Sequence, residues 1–392
     1  MNFCGLICEF NPFHNGHKYI IEEAKKLTGL DVVCLMSGDF VQRGTPAIID
    51  KYERAKSAIL AGANAVLELP TIYACSNAEN FATGAIKIFK SLGIKKLAFG
   101  IEDTNIEILK QIAKLKLENS ERFKLAFKNE IQNGINYNTA LKRSIAKTIG
   151  DDSVFEILNK PNNILAIEYL TAILKLDADI EPIAIKRTDN GYVSEKPNNE
   201  FLSASAIRDK ILANECYSKF VPEFAILPYY FSKENLSTLD SLNLLTIRSL
   251  SAEKLSKHYD YSEGIEYRVK KICNSASSLS QAKNEIATPR YRIARVNKLL
   301  LYPLLCVTKD IVDVSQKTKP VVKVLAIQKN NKFLISNANK RKISLIVTNK
   351  DYENISANQK KIANIDLLAS NIYSCITNRP NDLDKKIGTM FL

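Results

Sequence analysis

The feature that most constrains this chain is an alternation of short apolar runs with amphipathic stretches over its first hundred residues. Phe3–Cys8 (FCGLIC), Asp31–Met36 (DVVCLM), Ala65–Leu69 (AVLEL) and Lys95–Phe99 (KKLAF) read as buried strands. Between them, His17 to about Leu27, Ile49 to about Ala61 and Ala78 to about Leu92 carry apolar residues at helical spacing. Strands separated by helices imply right-handed crossovers and a parallel sheet, because a tight turn joins only antiparallel neighbours. The expected class is therefore α/β. In such sheets ligands bind beyond the carboxyl ends of the strands. Three loops lie there: Glu9–Gly16, Ser37–Gly44 and Gly100–Asp103.

Further along, residues 104–150 read as charged helix, Pro161–Asn163 as a break, and Ile164–Leu174 as an apolar helix. Glu181–Arg187 reads as a further strand and 188–200 as a polar loop. Ser203–Leu212 reads as a helix with serines suited to cap its start. These boundaries set a first domain at 1–212, a mostly helical, basic region at 213–310 and a small α/β region at 311–392. The last holds apolar runs at Val321–Ile327 and Ile343–Val347 and a helix near Ile362–Ile376.

Composition narrows the partner. Of 392 residues, 46% are hydrophobic, which suits a large core. No apolar run approaches the roughly 18 residues that a membrane span requires. The start MNFCGLICEF lacks a basic leader, so a cytoplasmic location with no membrane contact is expected. The eight cysteines include no CxxC pair, which fits buried free thiols in a reducing compartment and no metal site. The net charge of +13 is unevenly placed: residues 1–200 hold 25 Lys/Arg and 25 Asp/Glu, whereas residues 201–392 hold 30 and 17. A lysine-rich genome would spread the surplus evenly. Its concentration in one half points to a polyanionic partner such as nucleic acid.

The chemistry concentrates at the handover from the first strand to the first helix. His14 and His17 are two of only three histidines in the chain. Spaced by three, they face one way on a helical first turn. A helix start offers unpaired N–H groups and a positive dipole end, which favour phosphate. Two imidazoles there can donate hydrogen bonds to phosphate oxygens and offset charge on a departing pyrophosphate. Gly16 lets a base or ribose approach the backbone, Pro12 fixes the chain before the turn, and Asn11 suits a local turn hydrogen bond. The residues alone support an ATP site and adenylyl chemistry.

His14-Asn15-Gly16-His17 after a first Rossmann-like strand resembles the HIGH signature of nucleotidylyltransferases and class I aminoacyl-tRNA synthetases. The longer string GLICEFNPFHNGH resembles the bacterial tRNA(Met) cytidine acetate ligase family. Further matches follow in the family's order. They are MSGDFVQRGTPA at 36–47, ELP at 68–70, FATGA at 81–85, Phe99-Gly100, KPNNIL at 160–165, KRT at 186–188, Gly191-Tyr192, SASAIR at 203–208 and RYRIAR at 290–295. The last 70 residues match only in general pattern.

The resemblance implies a Rossmann-like nucleotidyltransferase domain. It implies a ligase that uses ATP to join acetate to the wobble cytidine of elongator tRNA(Met), forming N4-acetylcytidine through an acetyl-adenylate and releasing AMP and pyrophosphate. It implies ATP contacts from Ile7, Cys8, Glu9, Phe10, Asn11, Pro12, Phe13, His14, Asn15, Gly16, His17, Lys18, Tyr19 and Ile20. It adds Gly100, Asn162 or Asn163, and Arg187. Residue chemistry agrees: Gly100 ends a strand where a side chain would meet the ligand. The two asparagines, in a turn after Pro161, can read an adenine edge or ribose. Arg187 ends a strand and can fork onto phosphate. Ser203, Ser205 and Arg208 resemble the late ISSTxIR element, which implies phosphate contacts from Ser205 and Arg208. His14 and His17 are the expected catalytic pair, with Mg²⁺ on the phosphates. No Ser-His-Asp or Cys-His set is evident, which fits a non-covalent adenylate route.

Two further expectations complete the reading. The loop Ser37–Gly44 could hold acetate or the cytidine through Ser37 and Asp39. The helix around Arg290–Lys298 could hold tRNA: Arg292, Arg295 and Lys298 recur every three residues, with Tyr291 and Tyr302 nearby for stacking. The rival functions are a nucleotidylyltransferase for a small metabolite and a catalytically silent RNA-binding protein.

Overall fold

The apolar runs of the N-terminus are neighbouring strands of one sheet. In the computed structural model, which describes residues 3–102, 105–118, 120–135, 137–188, 191–192, 201–227, 230–338 and 340–392, the strands are β1 (Phe3–Cys8), β2 (Asp31–Ser37), β3 (Phe40–Val41), β4 (Thr45–Pro46), β5 (Ala65–Leu69), β6 (Lys96–Glu102), β7 (Glu181–Thr188), β8 (Gly191–Tyr192), β9 (Val321–Ile327), β10 (Ser344–Ile346) and β11 (Met390–Phe391). The run β5-β2-β1-β6-β7 is parallel throughout. The chain moves from β1 outward through β2 to β5, then returns across β1 to β6. That reversal makes the carboxyl ends of β1 and β6 a switch point, where a crevice opens.

Alternation along each strand explains the layers. Val33 and Leu35 of β2 pack with the helices Ala78–Leu92 and Pro161–Lys175. Val32, Cys34 and Met36 face the opposite layer, with α1 (Asn15–Thr28) and α2 (Lys51–Leu60). Both faces are covered, so the strands are largely apolar runs instead of alternating with polar residues.

The expected C-terminal α/β region is present and continues this sheet. β9 pairs antiparallel with β5, and β10 and β11 pair with β9. The final helix, Ala357–Ile376, starts earlier than the apolar pattern suggests, because Ser356 and Gln359 form a capping box. The helices Lys233–Ser249, Ile265–Ser275, Leu279–Ile286 and Ile293–Leu304 enclose a core of their own around Ile247, Tyr261, Val269 and Leu299.

Two local expectations change. Pro161 does not break the chain into a turn: it is the first residue of the helix Pro161–Lys175. A proline there lacks only an N–H that would have had no helical partner. Asn162 and Asn163 therefore sit in a helical first turn. The cysteines are all free, but Cys216, Cys306 and Cys375 are exposed, contrary to the expectation of burial. Among the described residues, no helix is long and apolar enough to cross a membrane.

Candidate active site

The loop after β1 is held from several sides. Phe10 and Phe13 are buried, and Phe10 takes a left-handed φ of 49°. The Asn11 side-chain oxygen accepts from the Ile48 amide at 2.7 Å, and its backbone carbonyl accepts from Arg208 at 2.7 Å. α1 then begins with a cap built from both histidines. Nδ1 of His14 accepts from the Gly16 amide at 3.0 Å, and Nδ1 of His17 accepts from the His14 amide at 3.3 Å. The two rings stack with centroids 3.6 Å apart, and Phe10 meets His17 edge-on at 4.9 Å. A ring nitrogen that accepts an N–H carries no proton, so each neutral ring keeps its proton on Nε2. Serine would cap a helix better than histidine. Histidine adds a second nitrogen, a donor suited to a phosphate oxygen at a helix N-terminus.

A cavity of about 490 Å³ opens at the switch point, a size in the range of small-molecule sites, roughly 300–1,000 Å³. Of the first expected run, Ile7, Cys8, Glu9, Phe10, Asn11, His17 and Ile20 line it. Gly100, Asn162, Ser205 and Arg208 join them from three other segments. Pro12, Phe13, His14, Asn15, Gly16, Lys18 and Tyr19 are not in its wall. Of these, Pro12 and Phe13 are buried in the packing, and Lys18 is exposed on α1.

The asparagine pair separates by burial. Asn163 is fully buried; its oxygen accepts from the Glu102 amide at 2.8 Å, and its amide donates to the Glu102 carbonyl at 3.1 Å. It holds the end of β6. Asn162 faces the cavity and donates to the Glu102 carboxylate. For Arg187 the backbone is described, in register with Glu102 and Tyr192, and its side chain lies outside the described residues.

Burial pushes the Glu9 carboxyl up, against the Gln42 amide that donates to it at 2.8 Å and the positive charges of Arg208, Arg54 and Arg43. Desolvation lowers the affinity of Arg208 for its proton. Arg54, which sequence reasoning missed, is buried. Its guanidinium donates to the carbonyls of Glu9 at 2.7 Å, Ser37 at 2.9 Å, Gly38 at 2.5 Å and Ile49 at 2.9 Å. It ties the ends of β1 and β2 together. Nothing in the sequence could signal this, since its partners are all main-chain atoms.

The expected substrate loop divides. Gln42, Arg43 and Thr45 of the β3–β4 hairpin line the cavity. Ser37 and Asp39 do not. Asp39 is buried, with its carboxylate near the Lys51 amide at 3.3 Å and the Lys51 ammonium at 3.6 Å. The hairpin seats closely on the helix Ile293–Leu304. Gly44 has φ 70°, and a Cβ there would lie 2.7 Å from the Lys298 side chain and 2.9 Å from the Lys298 amide.

That contact also alters the expected tRNA helix. The helix starts at Ile293, so Arg292 is its exposed N-cap residue. Arg295 is held by Asp260 through two hydrogen bonds of 2.8 Å and lies over the Tyr291 ring. Lys298 is buried and donates to the Ser76 carbonyl at 3.2 Å, and the buried Tyr302 hydroxyl donates to the Cys75 carbonyl at 2.8 Å. Val296, Leu299 and Leu300 decide which face turns inward, and Lys298 shares it. Among the described residues, no group of three His, Cys, Asp or Glu side chains is placed to hold a metal ion.

A profile of the HIGH Nucleotidyl Transferase family matches residues 1–386. A tRNA(Met) cytidine acetate ligase of Thermoanaerobacter sp. (strain X514) is 34% identical over 382 residues, covering 95% of each chain. One of Thermosipho africanus (strain TCF52B) is 33% identical over 417 residues, covering 100% of this chain and 98% of that one. The chain belongs to the tRNA(Met) cytidine acetate ligase family. A solved structure described as Thermotoga maritima TmcAL bound with alpha-thio ATP superimposes with a TM-score of 0.89 at 26% identity, covering 100% of both chains. The likeness to the ligases therefore extends past residue 295, where the motifs legible in the sequence end.

Proposed function

We infer that this protein ligates acetate to a cytidine of tRNA(Met), the wobble cytidine of the elongator, at the expense of ATP. The observation that carries the reading is the pair of histidines capping α1, with His17 on a cavity at the switch point of the sheet. The names of the similar ligases and the ATP analogue in the similar TmcAL structure support it. A carboxylate oxygen of acetate attacks the α-phosphorus of ATP, the bond to the bridging oxygen breaks, and pyrophosphate departs. The cytidine N4 amine then attacks the acetyl carbonyl, loses a proton, and AMP leaves. That amine is a poor nucleophile because its lone pair is delocalised, so activating the acyl group suits the task.

In this reading the Nε2–H groups of His14 and His17, the start of α1 and Arg208 offset charge on the phosphates. Positioning and electrostatics carry phosphoryl chemistry of this kind. Asn162, not Asn163, meets the adenosine, Gly100 leaves room for it, and Ser205 and Arg187 add phosphate contacts. Mg²⁺ would ride on the triphosphate, where it is commonly held with few protein ligands. A cytoplasmic location follows from a tRNA substrate and free thiols.

The test is purified protein with ATP, labelled acetate and tRNA, in wild-type, His14→Ala and His17→Ala forms. Label on tRNA with the wild type, and its near loss in both variants, is expected. Full activity in both variants would remove the histidines from the mechanism. Pyrophosphate exchange with a small metabolite and no label on tRNA would point to the nucleotidylyltransferase alternative.

A further inference from the structure

A second cavity, of about 380 Å³, shares no lining residue with the first. Its walls come from the start of α2, the segment before it, and the helix Ala357–Ile376 with the turn that follows. Its volume falls in the range of small-molecule sites, roughly 300–1,000 Å³. Ile49, Leu227 and Ile387 give it apolar surface. Tyr52 and Tyr373 add ring faces, their hydroxyls being engaged by Asp384 and by the Ala47 carbonyl.

The polar part of the wall is incomplete. Ser370 and Ser374 stand one turn apart on the helix, line the cavity, and are only 4% and 2% exposed. Among the described residues neither hydroxyl has a hydrogen-bond partner. Ser144 and Thr171, also buried in helices, each donate to the carbonyl four residues back at 2.7 Å. A buried hydroxyl with no partner is costly, and an occupant of the cavity that bonds to it removes that cost.

Three acids line the same space: Asp39, Asp50 and Glu53. Asp50 is satisfied, since it caps α2 and pairs with Arg379. Glu53 is half-buried, and among the described residues no hydrogen bond or ion pair engages its carboxylate. Asp39 is buried, and its ion-pair partner, the Lys51 ammonium, stands at 3.6 Å while lying nearer to Glu68 and Asp384. Burial pushes the Asp39 carboxyl up, with Lys51 only opposing it. The groups left to satisfy are therefore two carboxylates and two hydroxyls. An anion would be repelled, and a neutral alcohol would leave the acidic charge uncompensated. A primary ammonium supplies three donors and a positive charge, and its bonds to carboxylates are of the stronger, charge-assisted kind.

We propose that this cavity binds a small primary amine in its protonated form. Asp39, Glu53 and the hydroxyls of Ser370 and Ser374 hold the ammonium, and Ile49, Leu227 and Ile387 cover the apolar body. Asp39 directly precedes β3, so the ammonium sits at the root of the hairpin that supplies Gln42 and Arg43 to the first cavity. The site stands independently of the ligase reading.

The test follows binding of 2-phenylethylamine and n-butylamine to the full chain by ligand-observed NMR, with ATP present to occupy the first cavity. 2-Phenylethanol, of the same shape without the charge, and 3-phenylpropionate, of opposite charge, are the comparisons. At least one amine is expected to bind about tenfold or more tightly than the alcohol, and the carboxylate not to bind. Glu53→Gln and the double variant Ser370→Ala/Ser374→Ala should each weaken the amine about tenfold, the usual effect of losing hydrogen bonds to a charged group. Glu121→Gln makes the same charge change at an exposed position on the helix Glu121–Gln132 and should stay within twofold. Thermal denaturation and ATP affinity, expected to be unchanged, show that each variant is folded. Failure of both amines to bind would overturn the proposal, as would equal affinity for the alcohol. Amine affinity unchanged in both cavity variants, or lost equally in Glu121→Gln, would place the binding elsewhere and overturn it too.

Discussion

At the cavity, acids and bases face a space that a ligand can fill; at the seam between α2 and the C-terminal segment, they fill one another's needs. Around the cavity, Arg43 and Arg208 stand beside Glu9 and reach the open wall. At the seam, the buried Lys51 ammonium meets Glu68 at 2.8 Å, Asp384 at 2.7 Å and Asp39 at 3.6 Å. The Tyr52 hydroxyl donates to Asp384 at 2.6 Å and accepts from Lys323 at 2.7 Å. The residue types are those of the cavity, yet the seam joins residues more than 300 apart in sequence. Charge that is buried and mutually satisfied holds the sheet extension in place. Charge that is left facing a space is what a substrate meets.

The sharpest way to break that comparison is to remove the cation of the seam. Lys51→Met removes the ammonium shared by three buried carboxylates, and deleting one partner of a buried ion pair costs about 3–5 kcal/mol. Chemical denaturation should show that loss. Arg43→Met, at the cavity rim, should stay within about 0.5 kcal/mol, as exposed positions usually do. Comparable stability losses at the two sites would erase the distinction.

The next largest effect separates capping from catalysis within one residue. His14→Ala should lower acetyl transfer by about 10²–10³-fold, the usual cost of one donor to developing charge, and stability by about 1 kcal/mol through the lost cap. His14→Asn keeps a capping oxygen and loses the second ring nitrogen. It should recover the stability and none of the activity. Recovery of both would make His14 a cap alone.

What the sequence showed and hid follows the same division. β1, β2, β5 and β6 were legible because strands covered on both faces are apolar runs. The cavity was legible where its residues end those strands or start α1: Glu9, His17 and Gly100. The seam was not. Lys51-Tyr52-Glu53-Arg54 looks like a solvated helix start, and only the partners Asp384 and Lys323 and the carbonyls of Glu9 and Ser37 reveal it as interior. Lys298 misled in the opposite direction, because a three-residue charge rhythm does not say which face packs. The β3–β4 hairpin has strands of two residues each, too short to leave a periodic signal.

A smaller effect tests the asparagine pair. Asn163→Ala leaves the amide and carbonyl of Glu102 without partners, at a cost of about 1–3 kcal/mol for buried groups. Asn162→Ala should leave stability within about 0.5 kcal/mol and weaken ATP binding, read by calorimetric titration. An exchange of these two outcomes would exchange the roles.

The smallest effect is a matter of sign. Burial raises the Glu68 carboxyl to about 8, with Lys51 opposing and Asp384 adding to the rise. Burial also works against ionising Asp384, but Lys51 and Lys323 bring it down to about 2. A raised folded-state value means that the native protein binds the Glu68 proton more tightly than the unfolded chain does. Its contribution is then fully present below the unfolded value of 4.5 and is lost as pH rises through about 8. Asp384 behaves oppositely, its contribution being lost only as pH falls from 3.8 through about 2. Between pH 5 and 8 the Glu68 contribution should therefore make stability fall with rising pH, by at most about 1.4 kcal/mol per unit for one proton. Glu68→Gln, which stays neutral at every pH, should flatten that slope, whereas Glu9→Gln at the cavity, where Gln42, Arg208, Arg54 and Arg43 counter burial, should flatten it less. Denaturation midpoints across this range read both slopes. A Glu68→Gln slope parallel to the wild type would mean that the seam carboxylates share Lys51 without retaining a proton.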